Sequence, residues 1–135
     1  MNHKVLAGAL VLVHPQLEND RLNKQGRVGI LLYASSDKEN FVKFPGGSQS
    51  VYPASGLLLL KDKKQIVDEV MNRASEMTTP EFKAMYKIML LQDRGNSSDL
   101  LNALEIARDN PSIWEKSLQA LGRSEKIELD KAYAR

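Results

Sequence analysis

The chain has no cysteine, which excludes disulfides, thiolate metal sites and thiol catalysis. A reducing, cytoplasmic setting is the simpler expectation. Histidine is scarce, with only His3 and His14. Neither has an acidic residue at ligand spacing, whereas a zinc site takes about three or four ligands. No run reaches the roughly 18–20 apolar residues that span a bilayer. Val5 to Val13 follows a single Lys4, contains Gly8 and runs into His14-Pro15 with no small-residue cleavage site, so it reads as a strand and not as an export signal. A dominant charge sign is also missing. With 19 basic and 17 acidic residues the net charge is +2, too balanced to imply nucleic acid by bulk electrostatics.

What the chain does have is enough apolar material for a core, 42% of 135 residues. It changes period near its middle. Up to Leu60 the apolar residues come in short runs broken by turn formers, which is strand behaviour. Strands are expected at 9–13, 26–33, 40–44, 48–52 and 57–60. A long polar loop, 14–25, follows the first. Ser35 to Lys38 and Pro45-Gly46-Gly47 are turns, and Pro53 to Gly56 is a one-turn 3₁₀ element. Five short strands with a long first loop and a single helical turn before the last are the parts of a small SH3-like barrel.

From Asp62 onward the period is near 3.6. Asp62 and Gln65 can form a capping box ahead of a face made by Ile66, Val67, Val70, Met71 and Ala74. Thr79-Pro80-Glu81 starts a second helix, with Phe82, Met85, Tyr86, Met89 and Leu90 as its apolar face. Gly95 ends that helix. Ser97 or Ser98 caps a third, burying Leu100, Leu101, Leu104 and Ala107. Asn110-Pro111 opens a fourth that carries Ile113, Trp114, Leu118 and Leu121 up to Gly122. Ser124 caps a short fifth with Ile127 and Leu129. The expected class is α+β: a five-stranded SH3-like (Tudor/KOW-type) barrel over residues 1–60, then a bundle of four or five short helices over 61–135. The short Leu60–Asp62 junction implies a bundle packed on the barrel.

Few residues carry chemistry. There is no Gly-x-Ser-x-Gly elbow, and Gly46-Gly47-Ser48 lacks the Lys and the following helix of a phosphate loop. Glu69, Glu76, Glu105 and Glu128 fall on helix surfaces, and Asp93 and Asp99 flank helix ends, where solvation and capping account for them. The chain therefore reads as a binding protein, not an enzyme, with no cofactor, no metal and no evident small-molecule substrate. Gln25-Gly26-Arg27-Val28 resembles the Gly-basic-Val step of KOW and Tudor-like barrels. Lys24, Arg27 and Lys43 are placed to form a basic rim beside Tyr33 or Tyr52, a phosphate-plus-stacking arrangement. Arg27, Tyr33, Lys43 and Tyr52 are accordingly the candidate partner-binding residues. Lys83, Lys87 and Arg94 follow roughly helical spacing and are the candidate nucleic-acid backbone contacts. Trp114, the only tryptophan, is read as core or as a partner contact.

The order of parts resembles the CarD family of bacterial RNA-polymerase-binding transcription regulators, whose barrel type also occurs in the polymerase-interacting domain of the transcription-repair coupling factor. Gly56 to Leu60 followed by Lys64 to Met71 looks like the family's exit from barrel to first helix. Tyr86-Lys87 through Gly95 to Asp99, then Ala107-Arg108-Asp109, looks like its middle helix pair. Leu121 to Ala132 resembles its C-terminal pattern of Leu, a Ser-containing turn, Glu, a basic residue, Leu and Ala. The family's aromatic-Pro and Gly-Val-Gly turn has only His14-Pro15 and Val28-Gly29 as stand-ins, at different spacing, and Trp114 comes later than the family's Trp. The resemblance implies docking on an RNA polymerase subunit through an exposed strand edge, with Val28 to Tyr33 or Phe41 to Phe44 as the candidate edge. It further implies weak DNA-backbone contact, or structural support, from the helices. The rival expectation is a protein- or peptide-interaction module with no nucleic-acid role.

Overall fold

The computed structural model describes residues 8–18, 20–34 and 39–121. It is an α+β chain. Among the described residues six strands, β1 Leu10–Val13, β2 Val28–Ala34, β3 Asn40–Lys43, β4 Gln49–Tyr52, β5 Leu57–Leu60 and β6 Leu118–Ala120, form one sheet in the order β4-β3-β2-β1-β5-β6. The sheet is antiparallel and curls into a half-barrel. The described residues also form four α-helices: α1 Lys63–Asn72, α2 Thr79–Arg94, α3 Ser97–Asp109 and α4 Trp114–Ser117. Backbone contacts divide the described chain into one unit of residues 8–59 with 120–121, and another of 60–119.

Alternation sets the core of the first unit. In β3 the pattern is strict, with Asn40 and Val42 inward and Phe41 and Lys43 outward. Val11, Val13, Leu31, Val42, Phe44, Tyr52, Leu57, Leu59 and Leu121 close around one another in the curl of the sheet. The unbroken apolar runs of β1 and β5 have a separate cause. Leu12 and Leu58, which face away from that cluster and lie opposite each other, are buried too. Gly29 of β2 is required by close approach. A Cβ there would lie 2.8 Å from the Lys43 carbonyl oxygen and 2.5 Å from Val42 Cγ1. The β3–β4 hairpin turns through Gly46 and Gly47, both at positive φ (97° and 98°), where L side chains are strained. The 3₁₀ turn Ala54–Gly56 stands directly before β5, where the sequence places it.

The helices begin where their caps dictate, as expected for α1 and one or two residues early for α2 and α3. The Asp62/Gln65 capping box forms on α1. On α2 the cap is Thr78, not Thr79; its hydroxyl accepts from the Glu81 N–H while the Glu81 carboxylate reaches back, a reciprocal pair that Thr79 cannot make. On α3 the cap is Asn96, not Ser97 or Ser98, and Asn96 Oδ1 accepts from the Asp99 N–H. Gly95, at φ 76°, closes α2 in the left-handed conformation.

Two expectations for the helices are corrected. The buried line of α2 is Met85, Ile88 and Leu91, because this helix packs against both α1 and α3; Tyr86 and Leu90, assigned to the core from spacing, are exposed, as is Met71 at the end of α1. The fourth helix does not reach Gly122. A 3₁₀ turn at Pro111–Ile113 leads into α4, which ends at Ser117, where the backbone straightens into β6. Ser117 is buried with its hydroxyl donating to the Ile113 carbonyl, a local bond that competes with helix continuation. Leu121 then joins the sheet cluster and not a helical core. The expected fifth helix and the Ser35 to Lys38 turn lie outside the described residues, as does His3.

Candidate binding surfaces

The outer face of β2, β3 and β4 carries an apolar row that alternation alone would make polar. Tyr33 lies opposite Phe41, and Phe41 opposite Val51, so the three side by side cross the sheet. Their exposures are 60%, 36% and 44%, and Ile30 and Leu32 on the same strand add 44% and 43%. A register shift between Leu31 and Tyr33 turns both Leu32 and Tyr33 outward and so widens the row. The Tyr33 and Phe41 rings tilt against each other at 6.2 Å between centroids. Lys43 is exposed one pleat along from Phe41, opposite Ile30. Contiguous apolar surface rimmed by polar residues marks interaction sites, whereas single exposed apolar residues do not.

The other sequence candidates separate. Arg27 is exposed just ahead of β2. Lys24 folds back over the Phe44 ring, its ammonium 5.6 Å from the centroid. Tyr52 is not available for stacking: it is 2% exposed, its ring meets Phe44 edge-on at 6.2 Å, and its hydroxyl donates to the Asp20 carboxylate at 3.0 and 3.2 Å. Alternation turns Tyr52 inward, as it turns Val51 outward. Burial first, and then the adjoining Asp20 carboxylate, push the Tyr52 hydroxyl well above its ordinary value of 10.0. The proton therefore stays on the phenol through the physiological range.

Asp20 organises the long loop. Besides the Tyr52 hydroxyl it accepts from the Leu22 N–H at 3.1 Å and the Lys24 N–H at 2.8 Å, while Gln25 Nε2 donates to the Leu17 carbonyl at 2.9 Å. In the sequence Asp20 is one polar residue among several in the 14–25 loop. The usable signal was an Asp followed at two and four residues by free backbone donors, an Asx-turn pattern. Its bond to Tyr52, 32 residues away, has no local signature.

Between this loop and β4 lies a cleft of about 690 Å³, with Leu17, Glu18, Asp20, Arg21 and Leu22 on one wall and residues 49–53 on the other. It lies entirely within the first unit.

On the helical unit, Lys83, Lys87 and Arg94 are all exposed along α2. Arg94 stands 3.8 Å from Asp99. Beside them Phe82 and Tyr86 stack at 5.9 Å, with Leu90 one turn on. Trp114 is half-buried, and its indole N–H donates to the Arg108 carbonyl at 3.2 Å. Among the described residues no three His, Asp or Glu side chains gather as a metal site, and no helix is long and apolar enough to cross a membrane. Comparison with family models, with curated proteins and with solved structures returns no match to this chain.

Proposed function

We propose that this chain is a non-enzymatic protein-binding module whose first unit is a barrel of the SH3-like type. Three features support the barrel reading: the strand order β4-β3-β2-β1-β5, the long loop after β1 and the 3₁₀ turn before β5. The observation that carries the function is the apolar row Ile30, Leu32, Tyr33, Phe41 and Val51 on the outer face of the sheet. Its aromatic members supply area with few rotatable bonds, and Lys43 and Arg27 supply a charged margin. The particular partner implied by the resemblance is an RNA polymerase subunit, which would make the chain a bacterial transcription adaptor working in the cytoplasm. In that form the exposed Lys83 and Lys87 of α2 are the residues that meet DNA phosphates. The general form needs no nucleic acid.

The test is affinity purification of the tagged chain from its native cells at low and high salt, with identification of the co-eluting proteins. Wild type is expected to retain a partner at both salts, and the double variant Tyr33→Thr/Phe41→Thr to lose it. Threonine suits an exposed strand, so folding stability should change by less than about 1 kcal/mol. Recovery of polymerase subunits supports the transcription form. A partner held equally well by the double variant removes the outer face from the reading.

A further inference from the structure

The edge that the resemblance points to is closed. β2 and β3 are interior strands, each hydrogen-bonded on both sides, so neither Val28 to Tyr33 nor Phe41 to Phe44 offers a free edge. Among the described residues β4 pairs with β3 alone.

The phase of its hydrogen bonds follows from the hairpin. The Phe44 N–H donates to the Ser48 carbonyl at 2.8 Å. Inter-strand bonds of an antiparallel pair recur at every second residue, so Val42–Ser50 and Asn40–Tyr52 exchange the bonds within the sheet. The N–H and C=O of Gln49 and Val51 then point out of the sheet. They point toward the cleft, which residues 49–53 line in unbroken succession although their side chains alternate between faces. A cleft lined by consecutive residues of a strand runs along its edge.

The opposite wall defines what fits. Leu17 and Leu22 are apolar, Glu18 and Arg21 stand exposed at the rim, and Asp20 is 8% exposed. Among the described residues the partners of the Asp20 carboxylate are the Tyr52 hydroxyl and two backbone N–H groups, all neutral. That wall thus carries two carboxylates and one guanidinium, and residues 49–53 opposite it carry no charge. A volume of about 690 Å³ lies within the range of roughly 300–1,000 Å³ for ligand clefts, and β4, at four residues, offers an edge about 13 Å long.

From this geometry we infer that the cleft binds an extended segment of a partner protein, carrying a lysine or arginine, which adds as a strand to β4. The inference rests on the protein-binding reading but assigns the contact to a different surface from the outer apolar row. Backbone pairing to Gln49 and Val51 supplies the register, and the Asp20 and Glu18 side selects the basic residue.

The test uses the full ¹⁵N-labelled chain and two capped synthetic peptides, Thr-Val-Lys-Val-Thr and Thr-Val-Glu-Val-Thr. The lysine peptide is expected to shift the amides of residues 17–22 and 49–52 and to slow hydrogen exchange at Gln49 and Val51. The glutamate peptide should bind at least fivefold more weakly. Gln49→Pro removes one outward N–H that the sheet does not use and leaves the outer apolar row intact, and proline is tolerated on such an edge, so the variant should fold and lose at least tenfold in affinity. A second variant, Glu18→Lys, leaves the strand untouched and should narrow the difference between the two peptides. The inference is overturned by no shift at millimolar peptide, by unchanged binding to folded Gln49→Pro, or by concentration-dependent self-association that protects Gln49 and Val51 without peptide. Shifts confined to Tyr33 and Phe41 also overturn it, while leaving the outer-face reading intact.

Discussion

Removing the Tyr52 hydroxyl tests how the long loop is tied to the sheet. Tyr52→Phe keeps the ring against Phe44 and opens no cavity, so its cost is the bond to Asp20. A hydrogen bond to an ionised acceptor contributes about 1.5–3 kcal/mol, and Asp20 keeps its two backbone donors after the change. The expected loss is therefore about 1.5–3 kcal/mol, or a fall of about 1 M in the urea midpoint for a small domain. Exchange of the Val13 and Leu31 amides, bonded to the Arg27 and Ala9 carbonyls, reports on this unit, while Trp114 fluorescence follows residues 60–119. A pH arm gives an independent reading. The Tyr52 hydroxyl is raised above its ordinary 10.0 in the folded chain, first by burial and then by the Asp20 carboxylate. Above about pH 10 the unfolded chain gives up this proton and the folded chain keeps it, so the unfolded state binds fewer protons and stability falls as pH rises. The contribution is complete below pH 10, and the slope above it approaches about 1.4 kcal/mol per pH unit for one proton. Urea melts between pH 8 and 11 should show that decline in wild type and lack the Tyr52 share of it in Tyr52→Phe. A loss under about 0.5 kcal/mol at pH 7, with an unchanged alkaline limb, would refute the reasoning, since surface substitutions reach that size.

Gly29→Ala places a methyl group within 2.8 Å of the Lys43 carbonyl oxygen and should destabilise the chain by about 1–3 kcal/mol, read as a lowered midpoint in thermal melts followed by circular dichroism. Thr78→Ala removes one arm of the α2 capping box and should cost about 1 kcal/mol, detectable as faster amide exchange in the first turn of α2; an unchanged exchange rate would mean that the Glu81 arm suffices.

Elements with local causes were legible from residue order. The five strands up to Leu60, the 3₁₀ turn and the Asp62 box are each decided by side chains within a few positions of one another, and the structure has them where the pattern indicates. The caps of α2 and α3 fall one or two residues before the expected ones because Thr78 and Asn96 compete with adjacent hydroxyls, and geometry at the first turn selects between them. The fourth helix failed as an expectation for a related reason. Leu118 and Leu121 fit a helical spacing as well as a strand, and only pairing with the sheet separates the two.

Exposure at the candidate residues was only partly legible in the sequence. Tyr33 and Lys43 were singled out, and the fold leaves both exposed. Tyr52 has the same sequence credentials, but the fold buries it against Asp20. Up to Asp109 the sequence by itself determined which segments become strand and which helix, because backbone preference, alternation and capping act over a few residues; Leu118–Ala120 is the exception. Tertiary structure alone decided which strands stand at an edge, which side of α2 is covered and what Asp20 bonds to. Those outcomes depend on segments far apart in the chain arriving side by side, and no short-range pattern encodes that arrival.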